Sequence, residues 1–145
     1  MSLTRKLNLI LVDDDAAITR LAERFIASEF SGRLNMQVFN DARLAKEAID
    51  ANSCDILLSD IQMPQVNGLQ MLKYAKQRNS WTQVVFMTAH STWDYIAEAM
   101  EIGATDYLLK PLERRDLIHV LEQTCDRVTR WQQVVRATWQ RPATV

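Results

Sequence analysis

Each of four apolar runs in this chain ends in polar residues suited to chemistry. Asp13, Asp14 and Asp15 follow "LNLILV", Asp60 follows "DILLS", Thr88 ends "QVVFMT", and Lys110 ends "DYLLK". Adjacent like charges repel, so three consecutive aspartates need a reason beyond folding. Several carboxylates brought together are costly unless a cation neutralises them. Hard oxygen ligands on a small site that keeps waters suit Mg²⁺, whereas zinc would want His or Cys. A lysine adds a flexible point charge suited to a phosphoryl oxygen, and a threonine adds a hydroxyl donor. An aspartate in that setting can itself attack phosphorus and give an aspartyl phosphate. The residue types therefore point to a Mg²⁺ site with an accompanying phosphate.

Such residues work together only if the elements that carry them bring their ends to one place. "LNLILV" (7–12) is a short continuous apolar run, as expected of a strand buried on both faces. Ile18, Leu21, Ala22, Phe25 and Ile26 follow at helical spacing, with Gly32 as the expected stop. "MQVF" (36–39) reads as a second strand, and Asp41 is placed to cap a helix carrying Leu44, Ala45, Ala48 and Ile49. "DILLSD" (55–60) is the third strand. "QMPQVNG" (62–68) breaks the pattern at Pro64 and Gly68, after which Leu69, Leu72 and Ala75 mark another helix. "QVVFMT" (83–88) is the fourth strand, and a helix runs through Ile96, Ala99 and Met100 to Gly103. "DYLLK" (106–110), stopped by Pro111, is the fifth strand, and a last helix starts near Glu113 and runs past residue 135.

Five strands alternating with five helices over short loops predict an α/β fold, a doubly wound parallel sheet with helices on both faces. The polar residues all fall at carboxyl-terminal strand ends. In open parallel sheets that edge binds ligands, in the crevice where strand order reverses. With strands one and three flanking the crevice, Asp13, Asp14 and Asp60 converge.

Composition narrows the function further. At 145 residues the chain has room for one domain with a proper core, and 48% apolar with 24% charged residues reads as soluble and globular. Nucleic-acid affinity comes largely from Lys and Arg neutralising phosphates, so a net charge of -1 makes a poor free-standing DNA binder. Cys54 and Cys125 lie far apart and in no metal-ligand spacing, and are expected as free, half-buried thiols. No apolar run approaches the ~20 residues of a membrane helix. The N-terminal segment lacks the long apolar region of a signal peptide, so a cytoplasmic location without membrane contact is expected. There is no internal repeat, and the three glycines and three prolines all fall at element boundaries or in the tail.

At this point the sequence resembles the receiver domain of two-component response regulators, the CheY-like superfamily, over roughly residues 7 to 125. The pieces that carry the resemblance are "LVDDD" (11–15), "DILLSDIQMP" (55–64) with Gly68 following, "VVFMTAH" (84–90) and "GATDYLLKP" (103–111). Their order and spacing together are highly specific. The resemblance implies a flavodoxin-like sheet with strand order 2-1-3-4-5, a receiver domain over 5–125 and a C-terminal helical extension and linker over 126–145. It implies Asp60 as phosphoacceptor, Asp13 and Asp14 as the acidic pair holding Mg²⁺, and the backbone carbonyl of Gln62 as a further ligand. Thr88 would be the switch hydroxyl, Lys110 the phosphoryl-binding lysine, and Tyr107 the aromatic whose rotamer follows the state. Gln62 and His90 would tune the lifetime of the acyl phosphate, and the Lys110–Pro111 bond is expected cis. Asp15 and His119 read as structural, Met87 and Met100 as packing, and Trp93 as an exposed aromatic open to a partner.

The partner so implied is a sensor histidine kinase or a phosphotransfer protein, whose phosphohistidine supplies the phosphoryl group. The domain is then half enzyme and half substrate, and it switches a surface made by its fourth helix, fifth strand and fifth helix toward an output domain or partner. Leu121, Thr124, Val128, Trp131, Val135 and Thr138 form a short, imperfect heptad seam in the tail. Homodimerisation through that switching surface or through the extended last helix is open, as is a tail helix that pairs with nothing. Two alternatives stand beside the phosphoacceptor reading. A haloacid-dehalogenase-like phosphatase would use Asp13 as its nucleophile, but Ala17 occupies the position where that motif needs Thr or Val. A receiver fold that no longer takes phosphate would serve only as an interaction module.

Overall fold

A computed structural model describes residues 5–89 and 92–140. The elements alternate as β1 (Leu7–Val12), α1 (Ala16–Phe30), β2 (Leu34–Phe39), α2 (Ala42–Ala51), β3 (Ile56–Asp60), α3 (Gly68–Arg78), β4 (Gln83–Thr88), α4 (Trp93–Ile102), β5 (Asp106–Leu109) and α5 (Arg114–Gln140). All four strand pairings are parallel, and the sheet runs β2-β1-β3-β4-β5. The order expected from the sequence is therefore observed.

Side chains along a strand alternate between its faces, and this period divides the core in two. Leu7, Leu9 and Leu11 of β1, Ile56 and Leu58 of β3, and Val85 and Met87 of β4 face α1 and α5. Ile10 and Val12, Leu57, and Val84 and Phe86 face the opposite layer of α2, α3 and α4. A sheet covered on both sides needs apolar residues at every position, which is why these strands read as continuous apolar runs. Burying each of these side chains stabilises the fold by roughly 1.5–3 kcal/mol.

Local signals set the ends of the helices. Asp15, Asp41, Asn67 and Thr92 are N-caps whose side chains accept from backbone N–H groups in the first turn, and Asn67 with Gln70 completes a capping box. Gly103 ends α4 with φ +107°, its N–H donating to the Ala99 and Met100 carbonyls. Gly32 does not act as a left-handed stop. Helix α1 ends at Phe30 with Ser31 still right-handed, and Gly103 is the only glycine with positive φ among the described residues.

Several expectations are corrected. Strand β2 begins at Leu34 and β3 at Ile56, which leaves Asp55 just outside the sheet. There the buried Asp55 carboxylate accepts from Arg5 Nη1 and Nη2, each at 2.9 Å, and from Asn8 N–H at 2.8 Å. Lys110 lies one residue past β5, although its N–H still donates to the Thr88 carbonyl at 2.8 Å. Met87 is buried as expected, but Met100 is 70% exposed, because the inward stripe of α4 runs through Ala99. Cys54 and Cys125 are free, and fully buried rather than half-buried. Leu121, Thr124 and Val128 of the expected seam pack into the domain's own core, and only the later positions project beyond it. Among the described residues no helix is long and apolar enough to cross a membrane.

Candidate functional site

Strand order reverses between β1 and β3, because the chain leaves β1 in one direction to build β2 and crosses back to build β3, β4 and β5. Val12 stands opposite Ser59 in that pairing, so Asp13 and Asp60 sit one residue beyond the same register pair. Carboxylate oxygens of Asp13, Asp14 and Asp60 lie within 4.8 Å of one another. Asp13 is fully buried and Asp60 nearly so, while Asp14 is exposed to solvent.

Lys110 reaches into this cluster from the end of β5. Its Nζ lies 2.6 Å from Asp13 Oδ2 and 3.4 Å from Asp60 Oδ2. The Lys110–Pro111 peptide is cis. Burial pushes the Asp13 carboxyl above its ordinary range, against the opposing pull of the Lys110 ammonium and the Asp15 N–H. Burial also acts to lower the pKa of Lys110. The hydrogen bond to Asp13 and the charges of Asp13 and Asp60 outweigh it, so the ammonium stays protonated with a raised pKa. The buried acidic pair is thus short of positive charge, with one lysine shared between two carboxylates.

The remaining expected residues fall around this centre. Thr88, buried at the end of β4, is on the neighbouring strand, since Asp60 pairs with Met87. The Gln62 N–H donates to Asp60 Oδ1 at 3.3 Å, and its side chain is exposed. Tyr107 is half-buried, its ring set edge-on to Phe86 with centroids 6.1 Å apart. His90 lies outside the described residues. Asp15 stands apart from the cluster as the N-cap of α1, accepting from Ala17 N–H at 2.9 Å while its own N–H donates to Asp13 Oδ1.

Two positioning features escaped the sequence reading. Asn40, directly after β2, donates through its side-chain amide to the Asp13 carbonyl at 2.9 Å and to Thr19 Oγ1 at 2.8 Å. It ties the acidic loop to the strand beside it. It also ends a strand at the same sheet edge, so the criterion that singled out Asp60 and Lys110 would have found it. The second feature is the close seating of α3 under the β3 loop. The Gly68 N–H donates to the Ile61 carbonyl at 2.7 Å, and a Cβ there would stand 2.5 Å from Ile61 Cα and 2.7 Å from the Asp60 carbonyl oxygen.

Comparison with known proteins agrees with this geometry. The family described as "Response regulator receiver domain" matches residues 9–122. The DNA-binding transcriptional regulator NtrC of Escherichia coli K12 is 37% identical over 123 residues, covering 85% of this chain and 26% of its own length. The transcriptional regulatory protein FixJ of Bradyrhizobium diazoefficiens is 32% identical over 120 residues, 83% of this chain and 57% of FixJ. Among solved structures, the receiver domain of AraT, a response regulator from Geobacillus stearothermophilus, superposes with a TM-score of 0.78 at 26% identity, covering 88% of this chain and 99% of that one. A CheY-like receiver domain protein from Methanospirillum hungatei shares the fold, with a TM-score of 0.79 at 22% identity over 87% of this chain and 98% of that one. The chain belongs to the response regulator receiver family of two-component signal transduction. It spans about a quarter of the length of the NtrC proteins that it matches.

Proposed function

We propose that Asp60 is the phosphoacceptor and that the chain takes its phosphoryl group from a phosphohistidine on a sensor kinase or phosphotransfer protein. The observation that carries this reading is the placement of the Asp60 carboxylate at the strand-order reversal, beside Lys110 and the Asp13–Asp14 pair. In the transfer, an Asp60 carboxylate oxygen bonds to phosphorus as the bond to the donor imidazole nitrogen breaks. The bonding electron pair returns to that nitrogen, which takes a proton from solvent, and the imidazole leaves neutral. Lys110 holds a phosphoryl oxygen, and the Gln62 N–H orients the Asp60 carboxylate for attack.

The donor set suits a hard divalent cation. Three carboxylates converge, and burial raises the pKa of Asp13 against the opposing pull of Lys110, so a further positive charge there would stabilise the ionised cluster. Asp13, Asp14, Asp60 and the Gln62 carbonyl would hold Mg²⁺. When bound, it supplies charge that offsets the build-up on the phosphoryl oxygens. Thr88 then moves to the new phosphoryl group, and Tyr107, whose hydroxyl is already buried and whose ring packs on Phe86, closes over the space left. The surface of α4, β5 and α5 follows, and hydrolysis resets it. Gln62 and His90 side chains set how readily water reaches the acyl phosphate. Residues 5–125 form the receiver unit in this reading, and 126–145 lead toward whatever carries the output.

The test uses beryllofluoride, a phosphoryl mimic, added with Mg²⁺. Tryptophan fluorescence should change in the wild-type protein and stay unchanged in Asp60→Asn. Acetyl phosphate labelling mapped by mass spectrometry should place the label on Asp60. Label on Asp13 instead, or no response to either reagent, would overturn the reading.

A further inference from the structure

The edge of the sheet opposite the acidic centre carries a groove. Its walls are Arg5 ahead of β1, the loop from Asn79 to Gln83 ahead of β4, and the second half of α5. At 100° per residue the buried face of α5, through Leu121, Thr124 and Val128, continues into Trp131 and Val135 and so into the groove. Trp81 and Trp131 together line a cavity of about 190 Å³ with Ser80 and Gln83. A second cavity, of about 360 Å³, adjoins it at Trp81 and is lined by Arg5, Gln132, Val135 and Arg136. Trp81 is 53% exposed and Trp131 55% exposed. The two indoles do not stack on each other, since Phe86 with Tyr107 is the one ring pair among the described residues.

The loop that carries Trp81 is firmly anchored. The Trp81 N–H donates to Asn79 Oδ1 at 3.0 Å, and the Gln83 carboxamide donates to the Trp81 carbonyl at 3.0 Å. The Thr82 hydroxyl donates to the Cys54 carbonyl at 2.7 Å. Charge along the groove is uneven. Asp55 is the only acid lining it, and Arg5 neutralises that carboxylate through two hydrogen bonds of 2.9 Å. Arg136 is exposed, and among the described residues no ion pair engages it. One end of the groove is thus aromatic and the other cationic.

We propose that this groove binds a nucleoside phosphate, its base between Trp81 and Trp131 and its phosphate on Arg136. A preformed concave site lined by aromatic side chains and few polar groups suits a small molecule. Indoles stack on any base, and a guanidinium takes two phosphate oxygens at once. Length narrows the class further. Trp131 and Arg136 are about 7.5 Å apart along the helix axis and stand on opposite flanks of its groove face, with Gln132 and Val135 between them. A ligand that touches both must be elongated, as a nucleotide is and a small aromatic acid is not. A bare phosphate would leave both indoles uncovered. The groove lies at the far edge of the sheet from Asp60 and needs no aspartyl phosphate, so its test stands apart from that of Asp60.

Calorimetric titration of the 145-residue chain with ADP and with GDP should show one saturable site with a Kd of about 1 mM or tighter. EDTA is present throughout, so that no cation carries nucleotide to the acidic centre. Adenosine, which lacks the phosphate, and pyrophosphate, which lacks the ring, should each bind at least about tenfold more weakly. In proton–nitrogen spectra of the wild-type chain, the indole N–H signals of Trp81 and Trp131 should shift with ADP while that of Trp93 stays in place. Trp81→Ala, Trp131→Ala and Arg136→Gln should each weaken binding by about tenfold or more, and Asp60→Asn should leave it unchanged. Circular dichroism checks that the variants fold. Where an alanine variant does not, the Phe replacement keeps a ring and should weaken binding by a smaller factor. Four results would each overturn the proposal: no binding of either nucleotide at about 5 mM, affinity untouched by the three groove variants, pyrophosphate binding as tightly as ADP, or indole signals that shift on dilution alone because a second copy of the chain fills the groove.

Discussion

The side-chain amide of Asn40 donates to the carbonyl oxygen of Asp13 at 2.9 Å, across the gap between the ends of β2 and β1. Asp13 is the most deeply buried acid of the site, and its backbone is held by a residue that performs no chemistry itself. The same amide also reaches Thr19, so a single side chain ties the acidic loop to both β2 and α1. Asn40→Ala should cost about 1 kcal/mol in urea unfolding. It should also weaken Mg²⁺ binding by about tenfold, as loss of an outer-shell partner commonly does. Calorimetric Mg²⁺ titration reads the second effect directly. An unchanged affinity would show that the loop keeps its shape without the amide.

Gly68 should be among the least replaceable positions near the site. An added Cβ would meet backbone at Ile61 and Asp60 and the Phe86 ring at 2.9 Å, so relief requires moving the loop that carries Asp60. Gly68→Ala is expected to destabilise the fold by about 1–3 kcal/mol. It should also slow labelling of Asp60 by acetyl phosphate under conditions where the variant remains folded. Wild-type labelling kinetics in a destabilised but folded variant would separate packing from positioning at this residue.

The two thiols give the fold an alkaline limit. Burial pushes the Cys54 thiol from 9.0 up to about 12 and the Cys125 thiol from 9.0 up to about 11. Below pH 9.0 both thiols are protonated in folded and unfolded chains alike, and their contribution is fully present. Above it the unfolded chain releases protons that the folded chain retains, so stability falls as pH rises toward the folded values. Urea unfolding across pH 8–11 should show this slope, at about those pH values, and Cys54→Ala with Cys125→Ala should flatten it. Neither thiol should react with a disulfide reagent at neutral pH until the chain unfolds.

Much of the fold was legible because both layers obey one period. Alternating residues of β1, β3 and β4 feed two cores, and strands covered on both faces leave an unbroken apolar signature. The acidic centre was legible for a related reason: a charged residue closing a buried strand is costly, so Asp60 and Lys110 stood out. What stayed hidden depends on partners distant in sequence. Asp55 reads as one more strand residue until Arg5, fifty positions away, is seen to grip it. Asn40 is an ordinary polar residue after a strand until its amide is found on Asp13. Met100 and Ala99 lie on adjacent stripes of one helix, and only the packed structure shows which stripe faces inward. The tail seam likewise mixes positions consumed by the domain with positions beyond it.

Helix α5 is unbroken from Arg114 to Gln140, with no proline or glycine to serve as a joint. Its first half is gripped by the sheet and its second half is only partly covered, so the helix can act as a rigid lever with its pivot at Val128. From there to Gln140 it reaches about 18 Å, and a tilt of about 10° at the pivot would swing the tip by about 3 Å. A repacking too small to disturb the core can therefore become, at the far end of the helix, a displacement the size of an amino-acid side chain.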